Sequence, residues 1–239
     1  MPDHPPHGDD QPTSTATNPT PSTTELHNPP VTPRPDDHDG EDSQTQVDGS
    51  GGDDTLAGDD HGDVILAHDG NDSITGGAAH DAINGMAGDD TADGGGGDDW
   101  VLGGKGDDSL SGGDGNDLVN GNIGADTGDG GAGDDTLRGG QGDDSLSGGD
   151  GKDWLSGDRG DDTMAGGAGA DTFNVFAGGG NDVIADFKFS EGDRIHVEGD
   201  VRHSVAQVGT DVVITLAGHE TVTLQNVDLA SLMDGWIVH

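Results

Sequence analysis

Fourteen aspartates stand nine residues apart without a gap: Asp54, Asp63, Asp72, Asp81, Asp90, Asp99, Asp108, Asp117, Asp126, Asp135, Asp144, Asp153, Asp162 and Asp171. A short carboxylate recurring at fixed phase suits one chemistry above others, the holding of a hard cation by oxygen close to the main chain. Acidity that merely solubilises a protein would mix Asp with Glu, yet only five of the 49 acidic residues are Glu. Cysteine is absent, so disulfides, thiolate metal sites and thiol nucleophiles are excluded. The chain also lacks HExxH and GxSxG, and no residue is expected to be catalytic.

The element that positions these carboxylates is a repeat. From Gly49 to Asn174 the chain keeps a nine-residue frame for fourteen units. Position 1 is Gly except at Ala67, position 4 is Gly except at His61 and Ala79, and position 6 is always Asp. Chance agreement at that one column is on the order of 10⁻¹⁰, so the period is real. Position 8 is apolar throughout except at Gly128. A degenerate fifteenth unit, "AGGGNDVIA" (177–185), follows a two-residue offset and adds Asp182.

Six turn-forming residues followed by three strand-forming ones predict a chain reversal and then a short strand whose central residue points inward. Two units complete one turn of a flattened coil. Seven such turns stack to about 34 Å at the usual spacing between strands. Position 6 and the turn carbonyls then face the gap between turns. Position 7 faces out: it is Ser or Thr in every odd unit, whereas the even units carry Val64, Ala82, Trp100, Leu118, Thr136, Trp154 and Thr172. With Leu66 and Leu102 at position 9, the Trp100/Trp154 face is expected to stand outside as a protein or dimer contact. Ala92 and Gly128 thin the inward column, which predicts local fraying or a water-filled gap.

The stretch "GGKGDDSLSGGDGNDLVNG" (103–121) carries two such units end to end, and they resemble the RTX (repeats-in-toxin) nonapeptide, a calcium-binding repeat. The resemblance implies an all-β fold: a right-handed parallel β-roll solenoid, capped by a small C-terminal β element. It implies Ca²⁺ between turns i and i+2, bound by the position-6 aspartates and Asp182. Fourteen units then allow up to about twelve ions. Charge agrees with that number. Residues 49–174 contain 29 Asp, no Glu and four basic residues, a net of −25 that twelve divalent ions would nearly cancel. Sites that use His61 or Ala79 are expected to be weaker.

Three segments are expected. All ten prolines fall in residues 1–48, read as a disordered arm; 49–185 form the roll; 186–239 turn strand-like in "DVVITL" and "TVTLQNV", with "DLASLM" as a helical turn. The segment "NDVIADFKFSEGDRI" (181–195) resembles those that close RTX rolls in type I secreted proteins. That likeness implies a cap with a secretion signal, the type I secretion machinery as a partner, and an extracellular or cell-surface location. "MPDHPPHGDD" lacks the features of a Sec signal peptide. A formal charge of −41 argues against nucleic acid, and no apolar run is long enough for a membrane span. The function expected is a secreted calcium-binding protein that folds on Ca²⁺ outside the cell as a binding or structural module. The alternative is a calcium-dependent module for anionic polysaccharide, like the repeat modules of alginate epimerases.

Overall fold

Most strands of the repeat run six residues rather than the three expected, because positions 1 to 3 of the following unit continue the strand, and each pairs with its counterpart eighteen residues away. The computed structural model describes residues 45–199 and 201–239. In it Thr127–Ala132 pairs in parallel with Ser109–Asp114 on one side and Ser145–Gly151 on the other, so Gly128 lies between Leu110 and Leu146. The same register, with an offset of eighteen, runs through both halves of the repeat. Among the described residues, odd units contribute seven strands to one sheet of eleven and even units seven strands to another of ten. These are the two walls of an all-β parallel solenoid.

The core is the position-8 column. Ile65, Ile74, Ile83, Val101, Leu110, Val119, Leu137, Leu146, Leu155, Met164 and Phe173 are all buried and form one cluster. Each such side chain contributes about 1.5–3 kcal/mol by leaving water. The expected defect at Gly128 is not there. Gly128 is buried, and the place a Cβ would occupy lies 3.1 Å from Leu146 Cδ2 and 3.5 Å from Val119 Cγ1. Neighbouring branched side chains have closed over it. Ala92 is likewise only 2% exposed.

The roll starts before the nonapeptide frame does. Thr45–Asp48 already pairs with Asp63–Leu66. Beyond Asn174 both walls continue. Arg194–Val197 and then Ile237–Val238 extend the ten-stranded sheet in parallel. Asp182–Ile184 and Thr221–Leu224 extend the other, which ends in antiparallel strands Asp211–Thr215 and Ser204–Val208. The cap therefore grows out of the same sheets and pairs their edges. Leu229–Ser231 is a short 3₁₀ turn, as the sequence suggests. Of the disordered arm expected over 1–48, residues 1–44 lie outside the described residues, and Thr45–Asp48 is ordered as strand because it pairs with Asp63–Leu66.

The two faces differ, with one correction. Every odd-unit position 7, from Thr55 to Thr163, is exposed. On the even face Trp100, Trp154 and Leu118 are half-buried rather than open, and Leu102 is only 1% exposed. Leu102 and Ser156 follow the two tryptophans by two residues on the same side, where a bulky indole restricts access to its neighbour. Arg138 lies over the Trp154 ring at 4.8 Å and pairs with Asp158 at 3.6 Å. Asn174 links Ser156 to His196, donating to Ser156 Oγ at 3.3 Å with its Oδ1 2.7 Å from His196 Nδ1.

Candidate metal centre

Position-6 aspartates form two ladders, one along each edge of the slab. In the even ladder the N–H of Asp81 donates to Asp99 Oδ1 at 2.8 Å, and the N–H of Asp99 donates to Asp117 Oδ1 at 2.7 Å. In the odd ladder Asp90 donates in the same way to Asp108, and Asp108 to Asp126. From Asp72 to Asp171 one carboxylate oxygen on each rung is thus committed to the backbone of the preceding turn, whereas Asp63 accepts the Asp59 N–H of its own unit.

The second oxygen is not. Among the described residues thirteen aspartates from Asp63 to Asp171 each keep a buried carboxylate oxygen with no hydrogen-bond partner. A buried polar atom without a partner costs about 1–3 kcal/mol, and thirteen in register are not an accident of packing. Glycine at position 1 makes the room. A Cβ on Gly94 would run into Asp99 Oδ2 and would lie 2.6 Å from the Gly112 carbonyl oxygen of the next turn. A Cβ on Gly148 would meet Asp153 Oδ2 and the Gly166 carbonyl in the same way. In the even units from Gly76 to Gly148 the cradle therefore brings one unpartnered carboxylate oxygen near a carbonyl oxygen of the next turn.

The electrostatics point the same way. Burial pushes Asp99, Asp108, Asp144 and Asp153 up to about 7 from the ordinary 3.8, offset in part by the N–H each accepts and reinforced by neighbouring carboxylates. Asp81, Asp126, Asp135 and Asp162 are raised to about 6 for the same leading reason. Negative charge in these gaps is costly until a cation or a proton joins it. An all-oxygen donor set with no nitrogen or sulfur suits Ca²⁺. No three acidic, histidine or cysteine side chains converge on one point among the described residues. Main-chain carbonyls would supply the remaining ligands.

Two expected ligands sit differently. Asp54 is only half-buried, and its Oδ2 accepts from Ser50 N–H at 2.6 Å and Ser50 Oγ at 2.9 Å. Asp182 closes the odd ladder, accepting the Asp162 N–H at 3.2 Å across the two-residue offset. His61 and Ala79 stand where most units have a left-handed glycine, and neither adopts a positive φ.

Sequence reasoning missed a second ladder at position 5, which runs in the opposite direction. The N–H of Asp107 donates to Asp89 Oδ1, that of Asn116 to Asp98 Oδ1, and that of Asp134 to Asn116 Oδ1. His80 takes the same part, accepting the Asp98 N–H at 2.7 Å through Nδ1. The signal was present as Asp or Asn in most units at that position.

The model of the RTX calcium-binding nonapeptide repeat matches this chain in overlapping segments from 40–74 to 147–184. The chain belongs to the RTX calcium-binding nonapeptide-repeat family. Among solved structures, this RTX chain is similar to the extracellular lipase LipA from Serratia marcescens, with 19% identity and a TM-score of 0.34, covering 83% of this chain and 40% of the lipase. It is similar also to the AlgE6R3 subunit of the mannuronan C5-epimerase from Azotobacter vinelandii, with 27% identity and a TM-score of 0.28, covering 63% of this chain and 80% of that subunit. Among curated proteins none matches. The RTX chain thus spans less than half the length of the lipase. No helix among its described residues is long and apolar enough to cross a membrane.

Proposed function

We propose that this RTX chain is a secreted calcium-binding module whose roll folds when Ca²⁺ enters the gaps between turns, with a binding or structural output and no catalysis of its own. The observation that carries this reading is the register of thirteen buried, unpartnered carboxylate oxygens. The position-6 aspartates are the ligands, with Asp182 closing one ladder and carbonyls such as that of Gly112 completing the donor set. The proposed capacity is about a dozen ions. Bound Ca²⁺ supplies the positive charge that lets stacked carboxylates stay ionised in a buried gap. Extracellular calcium modules bind in roughly the 10⁻⁴–10⁻³ M range. The same chain would therefore stay unfolded where Ca²⁺ is scarce and fold once exported.

Binding of an anionic polysaccharide receives less support. The even face carries Arg138, but that guanidinium already lies over Trp154 and faces Asp158, and the net charge repels a polyanion.

Calorimetric titration with Ca²⁺, followed in parallel by circular dichroism, tests the proposal. Cooperative uptake of about a dozen ions with strand formation is expected. Saturation at one or two ions without folding, or full strand structure in EGTA at neutral pH, would overturn it.

A further inference from the structure

The nonapeptide frame ends its even column at Asp171, since no unit follows at the eighteen-residue spacing. The structure continues that column. The N–H of Asp171 donates to Asp193 Oδ1 at 3.2 Å across 22 residues, as each rung donates to the next lower in the ladder. Asp193 is 3% exposed, and Gly192 before it stacks on Ala170 as a position-5 residue stacks on its neighbour. The chain reaches this place without a repeat motif, by way of the loop after Ile184. Asp186 fixes that loop: its two carboxylate oxygens accept the N–H groups of Gly166 and Gly167, both at 2.9 Å.

Asp171 itself is 1% exposed, and its Oδ2 has no partner. Were it the last rung, that oxygen would face a free end and take water. Instead it is buried against Gly166 of its own unit. On the far side Asp193 differs from an internal rung, because its Oδ2 accepts the Lys188 N–H at 2.7 Å. The protein has satisfied the outer oxygen with backbone, which is what a terminal rung requires when no further turn and no further ion lie beyond it.

We infer that the gap between Asp171 and Asp193 is an additional Ca²⁺ site, invisible in the nonapeptide frame, and that Asp193 is the rung that terminates the even ladder. The inference rests on the proposed reading of the internal gaps as calcium sites. Asp171 Oδ2 is the ligand from the roll and Asp193 supplies the opposing carboxylate, while Asp186 acts as a positioning residue through the Gly166 and Gly167 amides.

Two measurements on the full chain decide it. In crystals grown with Ca²⁺, anomalous difference density is expected in the gap bounded by Asp171 and Asp193. Density in the internal gaps with none here overturns this inference alone, and density nowhere overturns the underlying reading as well. In calorimetry Asp193→Asn, which keeps an oxygen for the Asp171 N–H, is expected to bind one ion fewer than the parent while retaining strand dichroism in Ca²⁺. An unchanged ion count in the folded variant overturns the assignment. If the variant does not fold, the crystallographic result stands as the deciding one.

Discussion

The main-chain N–H of Asp99 and the side chain of Asp117, eighteen residues on, meet at 2.7 Å, and that bond leaves the other oxygen of Asp117 buried and unpartnered. One residue thus does two jobs. Its Oδ1 sets the spacing between turns and its Oδ2 waits for a cation.

The two jobs can be separated by substitution. Asp117→Asn keeps an oxygen to accept the Asp99 N–H and removes the charged ligand. It is expected to fold in saturating Ca²⁺ with one weakened site. Asp117→Ala also orphans that N–H, and should cost about 1–3 kcal/mol more. Urea unfolding of both variants in excess Ca²⁺ checks the order; equal stability would mean the ladder bond contributes nothing.

Without calcium, the roll should respond to pH in a fixed direction. Burial raises Asp99, Asp108, Asp144, Asp153 and Asp182 to about 7 and Asp81, Asp126, Asp135 and Asp162 to about 6, against an ordinary 3.8. Between those values the folded state holds protons that the unfolded chain has released. Stability therefore falls as pH rises from about 4 to about 7, and is level on either side. Strand dichroism in EGTA is expected at about pH 5 and lost by about pH 7.5, where added Ca²⁺ restores it without net proton release, because the carboxylates of the unfolded chain are already ionised.

Two glycines that look alike should behave in opposite ways. Gly94→Ala drives a methyl group into Asp99 Oδ2 and the Gly112 carbonyl, so a loss on the order of 3 kcal/mol is expected together with the local calcium site. Gly128→Ala meets mainly the flexible end of Leu146 and adds a side chain to a strand interior. It is expected to be neutral or to stabilise by up to about 1 kcal/mol. Thermal unfolding in Ca²⁺ separates the two.

Met86 sits at position 2 with φ 75°, where most other units have a left-handed glycine, and it is 40% exposed. The left-handed backbone costs a non-glycine residue about 1–2 kcal/mol, and the exposed side chain returns little by burial. Met86→Gly is therefore expected to raise stability by about 1 kcal/mol, read as a higher urea midpoint in Ca²⁺. A lower midpoint would show that the side chain contributes packing that outweighs the strain.

Much of this protein was legible before any coordinate. The nine-residue period placed Ile65 through Phe173 inside and the Asp column in the gaps, because inward direction and turn phase follow from residues only a few positions apart. The chemistry of the cradle was legible too, since aspartate with glycine at fixed spacing leaves oxygen as the donor. What the sequence could not carry were contacts made by stacking. The loss of one carboxylate oxygen to a backbone N–H eighteen residues away, the closing of Leu146 and Val119 over Gly128, and the burial of Leu102 all depend on neighbours in adjacent turns. Asp193 is the clearest case. It lies outside the nine-residue frame, where only the short run Gly192-Asp193-Arg194-Ile195 echoes the end of a unit, yet the path of the cap sets it beneath Asp171 as the next rung. The period determined what one turn is; only the tertiary structure decided how the stack begins, fills and ends, because those outcomes belong to the surfaces that the turns present to one another.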